Sequence, residues 1–491
     1  MLRLKLFAVS ARRGWFQRLA LRAASRACVL PGTLSTWSLC PRTPPPTGDN
    51  VRAMTATPPF LTRVRIKGYK SITACDIKLG SLAFLVGPNG SGKSNFIDAL
   101  RFVADALTDS PNRVDSDNNV VHVTPGKVPD TPLGYALEGR GGIRMVHQQM
   151  GPLGFSFVIR VDFLDPHGSP GHYSLQIGAN ETAQVRQDAP QFVVEREECA
   201  IADGPFFSID DTTLDGYPPR PFQSDTSSPC VDRAQLYLRQ LALADNVPPA
   251  HRPFRNVHDA FLRMRFYALA PEVMRKVATP AESGFLRQDG VNVWDVLRGL
   301  RSRSPSTFDR IEEYLGHAVP GLSIEPFVLS SSDAAYAEFH QQIPGRSRPS
   351  KHAARSMSDG TLRAVGILTA LLQEDKDGPP SVVAIEEPEI ALHPGAVGVL
   401  LSAMHDARER TQVLVTTHSP DLLHSDEVRA DELLAFSADS GATVIGQVDE
   451  GSRKILSDRL FSPGELLRLR QLEPSDLARD VDCDETSLFE R

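Results

Sequence analysis

An α/β fold, with a mixed sheet flanked by helices, is predicted by three observations in this chain of 491 residues. The apolar run Leu82–Val86 stops at a glycine-rich loop and is followed at once by the helical pattern Asn95–Leu100. A second apolar run, Ser381–Ile385, ends in the acidic group Glu386-Glu387-Pro388-Glu389, and a third, Thr411–Thr417, ends at His418. Continuous short apolar runs of this kind are expected of strands buried on both faces, so charges at their ends need a purpose.

The loop after the first run, Gly87-Pro88-Asn89-Gly90-Ser91-Gly92-Lys93-Ser94, is a phosphate-binding P-loop. Glycines let the backbone curl tightly, so that successive N–H groups and the positive end of the next helix face an anion. Lys93 adds a point charge for β/γ-phosphates, the Ser94 hydroxyl is placed to ligate Mg²⁺, and Asn95 completes the expected nucleotide-binding set. The predicted cofactors are therefore ATP and Mg²⁺.

Neighbouring strand residues point to opposite faces, so Glu386 and Glu387 are expected to divide the work. Glu386 fits the Mg²⁺ side, usually through water, because Mg²⁺ keeps part of its hydration shell. Glu387 then faces the γ-phosphate and orients or deprotonates the attacking water. His418, at the end of the third run, is a hydrogen-bond partner for the same phosphate, which makes Glu387, His418 and Lys93 the catalytic candidates. Between these motifs, Ser356–Arg363 opens an apolar helix running through Leu372. Ser358 at its start is an adequate N-cap for any helix; with Gly360 it also places a helix N-terminus where an anion is favoured.

Taken in order, these motifs resemble the RecF and SMC branch of ABC-type ATPases, in the group of predicted AAA-type ATPases related to RecF. Arg63–Ile72 is similar to that family's first strand and its aromatic-Lys-Ser turn. Met357-Ser358-Asp359-Gly360-Thr361 stands at its signature motif, Glu386–Glu389 at its Walker B, Leu392-His393-Pro394 at its D-loop, and His418 at its switch histidine. The resemblance implies a P-loop NTPase of ABC-ATPase type. It also implies that the helix led by Ser358 and Gly360 binds the γ-phosphate held by another subunit's P-loop. ATP would then join two copies head to tail as an ATP-dependent homodimer, released by hydrolysis at Glu387. Two tasks fit: a DNA-clamping role in repair, recombination or genome maintenance, or a nucleotide-controlled switch acting on a separate effector protein, for example in phage defence, without DNA binding of its own. A transporter motor is disfavoured by the long insertion and the Ser-Asp-Gly-Thr signature.

Composition is that of a globular chain, 41% hydrophobic and 23% charged. Net charge is −7; the first 53 residues contribute +8, leaving −15 for the rest, which argues against indiscriminate coating of DNA. The six cysteines are scattered without metal-site spacing, as free thiols in a reducing cytosol would be, so a cytoplasmic location is expected. No apolar run reaches the roughly 18 residues that a membrane span requires, so no membrane association is expected. Residues 1–53, Arg-rich and closing on Pro44-Pro45-Pro46, are expected to be a disordered or spurious leader rather than a targeting segment.

The organisation follows from the motif positions. Residues 54–230 are expected to form the N-terminal part of the ATPase lobe with its β extension, the strands at Phe155–Phe163 and Gln191–Val194. Residues 231–350 form an inserted helical lobe with following strands, in which Val293, Val296, Leu297 and Leu300 share one helix face. Recurrent prolines and the lack of heptads exclude a long coiled coil. Residues 351–450 complete the ATPase lobe, with a closing hairpin at Leu433–Phe436 and Ala442–Ile445, and 451–491 is a tail. A magnesium-sensing glutamine stays unassigned between the His147-Gln148-Gln149 group and Gln240, and the tail acids Asp480, Asp482 and Asp484 read as a solvated surface rather than a metal site.

Overall fold

The computed structural model describes residues 60–108, 131–147, 153, 155–165, 167–180, 191–202, 204–210, 233–244, 251–277, 284–328, 335–425, 427–478, 481 and 488–489. The leader 1–53, Gln148, Gln149 and the tail aspartates lie outside them.

The chain opens with β1 (Leu61–Tyr69) and β2 (Ile72–Lys78), a hairpin turned at Lys70-Ser71, and continues into β3 (Leu82–Val86) and α1 (Lys93–Leu107). After α2 (Pro132–Glu138) and the single turn α3 (Ile143–Val146) come four antiparallel strands: β4 (Ser156–Leu164), β5 (Pro170–Ala179), β6 (Phe192–Ile201) and β7 (Phe206–Ile209). The next stretch contains α4 (Tyr237–Leu243), α5 (Arg252–Leu262), β8 (Met264–Tyr267), α6 (Pro271–Met274), α7 (Val293–Arg303) and α8 (Pro305–Ala318). A small sheet of β9 (Leu322–Val328), β10 (Ala335–Gln341) and β11 (Ser350–Ala353) leads to α9 (Asp359–Leu372). The remainder is β12 (Val382–Glu386), α10 (Pro394–Ala407), β13 (Gln412–Thr417), the hairpin β14 (Leu433–Asp439) and β15 (Ala442–Gln447), α11 (Glu450–Ser457) and α12 (Pro463–Arg468).

These strands build a 12-stranded mixed sheet in the order β7-β6-β5-β4-β1-β2-β15-β14-β3-β13-β12-β8. Strands β14, β3, β13, β12 and β8 run parallel, as strands joined by helical crossovers do, while β7 to β2 form the antiparallel extension. Alternation along β3 sorts the core into two layers. Ala83 and Leu85 face the cluster that includes α1, α2, α4 and α5, whereas Leu82, Phe84 and Val86 face the cluster formed with α6 to α10. The stretch with helical patterning is thus split between the two faces and interrupted by β8, which pairs with β12 at the sheet edge. Val293, Val296, Leu297 and Leu300 are buried together on α7, and Trp294 packs edge-on against Phe339 of the small sheet at 5.8 Å.

Candidate nucleotide-binding site

Strand register brings the three motif-bearing ends together. Val86 pairs with Thr417 across β3 and β13, and Glu386 pairs with Thr416 across β12 and β13. The P-loop, the paired glutamates and His418 therefore emerge side by side at the carboxyl edge of the parallel strands, where ligands of open α/β sheets bind. A cleft of about 260 Å³ is lined there by Asn89, Gly90, Gly92, Lys93, Ser94, Asn95, Glu387 and Thr416.

The loop takes its shape from its glycines. Gly87, Gly90 and Gly92 have φ of 156°, 79° and 95°, the last as the N-cap of α1. A Cβ on Gly87 would collide with the Phe436 carbonyl, and one on Gly92 would lie 2.8 Å from Thr443 Cβ and closer still to its Oγ1. The loop is thus seated on β14 and β15. Thr443 is fixed in turn: its N–H donates to the Ser71 carbonyl at 2.7 Å, its hydroxyl meets Ser71 Oγ at 2.7 Å, and Asn95 Nδ2 donates to Ser71 Oγ at 2.6 Å. Asn95 lines the cleft, but its side-chain amide is used to clamp the loop to the β1–β2 turn.

Lys93 is almost wholly buried and folds back so that Nζ donates to the Gly87 and Pro88 carbonyls at 2.8 and 2.9 Å. Burial lowers its pKa, against the opposing pull of Glu387 and Glu389. Ser94 Oγ donates to Glu386 Oε2 at 2.9 Å, and Arg101 lies 3.4 Å from Glu386 Oε1. The hydroxyl and carboxylate expected to share a magnesium ion are therefore adjacent. Ser91 Oγ, inside the loop, is buried without a hydrogen-bond partner, an orphan group of the kind a phosphate oxygen satisfies. Residues present here fit ATP with Mg²⁺.

Glu387 is separated from Glu386 less by strand alternation than by backbone conformation: β12 ends at Glu386, and Glu387 has φ of 45°. That left-handed turn is held because its N–H donates to Thr416 O at 3.0 Å and reaches Thr416 Oγ1 at 3.2 Å. The Glu387 carboxylate then meets His418 Nδ1 at 3.0 Å. Glu389 points inward instead. One oxygen accepts from Thr417 Oγ1 at 2.6 Å, the other is buried and unpartnered, and burial raises its pKa against the Thr417 hydrogen bond.

Ser358 and Gly360 lie away from this cleft. Ser358 Oγ caps α9 by accepting from Thr361 N at 3.2 Å, and Gly360 is pressed against the Ala391 carbonyl in the turn that leads to α10. Arg275 secures this end of α9 through the Met357 carbonyl at 3.0 Å and a pair with Asp359. Gln240 is a half-buried residue of α4 and does not line the cleft.

Sequence reasoning missed Thr443, Arg101 and the support of α1. Asp98 on that helix accepts from Tyr69 at 2.7 Å, pairs with Lys70 at 2.6 Å and with Arg140 at 2.9 Å, while Arg140 also reaches Asp105 at 3.1 Å. Burial works to raise the Asp98 pKa, but Arg140 and Lys70 outweigh it and hold the carboxyl well below its usual range. The aromatic-Lys sequence before the turn was the available signal; its partner Arg140 lies too far along the chain to be recognised.

Residues 82–136 and 268–424 match the family described as "AAA domain, putative AbiEii toxin, Type IV TA system". Those two stretches hold the P-loop, Ser358, the paired glutamates and His418. No curated protein matches the chain. Among solved structures, similarity extends to an SMC head bound to the C-winged helix domain of ScpA, with 14% identity, a TM-score of 0.41, and coverage of 80% of this chain and 99% of that one. It extends also to the SMC head domain from Thermotoga maritima, with 13% identity, a TM-score of 0.35, and coverage of 79% and 99%. A third is the Smc head with an extended coiled coil bound to the C-terminal domain of ScpA from Pyrococcus furiosus, with 12% identity, a TM-score of 0.41, and coverage of 82% and 100%. Among the described residues no helix is long and apolar enough to cross a membrane.

Proposed function

We propose that this protein binds and hydrolyses ATP, and that two copies close head to tail around the nucleotide. The observation that carries the reading is the convergence of Lys93, Ser94, Glu387 and Thr416 on one cleft, with Glu386 bonded to Ser94 beside it. Lys93 gives up its two loop carbonyls to the β/γ-phosphates, and the P-loop N–H groups take the remaining oxygens. Ser94 and Glu386 would hold Mg²⁺, which supplies charge neutralisation on the phosphates. Glu387 orients and deprotonates the attacking water, and His418 holds the carboxylate in place through its 3.0 Å contact.

The dimer is what the resemblance of these motifs to RecF and SMC ATPases implies, and the position of Ser358 supports it. Ser358 and Gly360 open a helix N-terminus that does not line the chain's own cleft, as a helix end meant for the γ-phosphate of a second copy would be placed. Glu387→Gln is expected to slow turnover at least about a hundredfold and to leave an ATP-bound dimer on size-exclusion chromatography. Adding Ser358→Arg should return that variant to monomer. A Glu387→Gln protein that stays monomeric in saturating ATP rejects the scheme.

The biological task is the DNA-clamping role expected of a RecF-like ATPase in repair or genome maintenance. A second reading, a switch controlling a separate effector, is favoured by the family description's mention of a toxin in a toxin-antitoxin system. ATP turnover that rises with DNA supports the first; indifference to DNA, together with a co-purifying partner, supports the second.

A further inference from the structure

Between Glu338 and Asp359 the chain contains no acidic residue, yet it carries Arg346, Arg348, Lys351 and Arg355. In a protein of net charge −7 this is a local reversal of sign, and the structure exposes it. The four cations are exposed along the β10–β11 hairpin and the short turn after β11.

Charge matching on the small sheet leaves the arginines over. Glu338 is already held by Lys351 at 2.8 Å and His340 at 2.9 Å, and Glu325 by Arg301 at 2.7 Å. Among the described residues, Arg346, Arg348 and Arg355 have no ion pair. Beside them lies an aromatic pair. Phe327 and Tyr336 stand opposite each other in the register of β9 and β10, their rings 6.1 Å apart and perpendicular, with Phe327 37% exposed. The Tyr336 hydroxyl accepts from the Arg355 backbone N–H at 3.0 Å, so the aromatic pair and the cationic run form one surface.

We propose that this surface binds single-stranded nucleic acid. A run of exposed cations on one hairpin suits a chain of phosphates, and the neighbouring exposed ring offers a face on which a base stacks. An acidic peptide would satisfy the cations but gives the aromatic face no comparable partner. The location gives binding a consequence: three residues after Arg355 comes Ser358, the cap of α9. The inference deepens the first reading above and rests on it for its purpose, although its measurement needs no ATP hydrolysis.

The test is fluorescence anisotropy of the full chain with a labelled oligothymidylate over a series of salt concentrations. Wild type is expected to bind with an affinity that falls as salt rises. Combining Arg346→Ala, Arg348→Ala and Arg355→Ala should weaken binding at least about tenfold and lower the log–log salt slope by about 2, since each single-strand phosphate contact contributes about 0.7. Phe327→Ala should weaken binding about fivefold or more while leaving the slope unchanged, because stacking releases no counterions. Failure of the wild type to bind, equal affinity and slope in the triple variant, or binding of polyglutamate in place of the oligonucleotide would each overturn the proposal. Absence of ATP hydrolysis by wild type without nucleic acid would instead strike the catalytic reading alone.

Discussion

The P-loop of this chain depends on a side chain that no motif contains. Gly92 combines φ of 95° with a Thr443 side chain occupying the space where a Cβ would project. Gly92→Ala should therefore cost about 1–3 kcal/mol, from the left-handed backbone and the overlap together, and weaken ATP binding at least about tenfold. Thermal melting and nucleotide titration check both. Adding Thr443→Ala should recover part of the stability, since the closest atoms belong to the removed hydroxyl and methyl, but not all of it, because the Thr443 Cβ remains at 2.8 Å. The residues of the loop itself were legible because phosphate chemistry demands their types at fixed spacing. Thr443 was not, since a lone threonine more than 300 residues away carries no local signal of what it touches.

At the scale of elements, a helix of the insertion is tied to the β extension by one buried carboxylate. Glu197 on β6 is 1% exposed and accepts from Tyr237 N at 2.5 Å, Leu238 N at 2.9 Å and the Tyr173 hydroxyl at 2.9 Å, so it caps α4 from the sheet. Burial pushes its pKa up to about 7 from 4.5, against the lowering effect of those donors. The folded protein then keeps a proton that the unfolded chain has released, so stability should fall as pH rises from about 4.5 to about 7, by up to about 3 kcal/mol. Glu197→Gln should flatten the dependence of melting temperature on pH across that window; an unchanged slope would remove Glu197 as its source. Strands β12 and β13 were visible as apolar runs with chemistry at their ends, and α9 by its apolar length. Strand β8 was hidden, because four residues between helical patterns are too few to show a period of two.

Across the whole molecule, the large sheet is continuous from β7 to β8, and its two faces carry the two main buried clusters. Strands of the extension share a core with α1, the helix that carries Lys93 and Ser94. Thermal unfolding of the sheet should accordingly be a single transition, with far-ultraviolet and near-ultraviolet circular dichroism giving coincident midpoints; separated midpoints would show that the extension melts on its own. The sheet class was legible from the motifs, whereas the strand order was not, because it is decided by pairings between segments hundreds of residues apart.

Those pairings bear on how the protein is made. Strand β3 is flanked only by β13 and β14, with Leu82 beside Val413 and Phe84 beside Leu433. A ribosome must therefore add more than 300 further residues before the strand that leads into the P-loop gains either neighbour. Until then the nascent apolar run Leu82–Val86 has no partner to cover it, which makes it a natural target for chaperones. Competence to take up nucleotide thus waits on the synthesis of β13 and β14, far downstream of the loop that binds it.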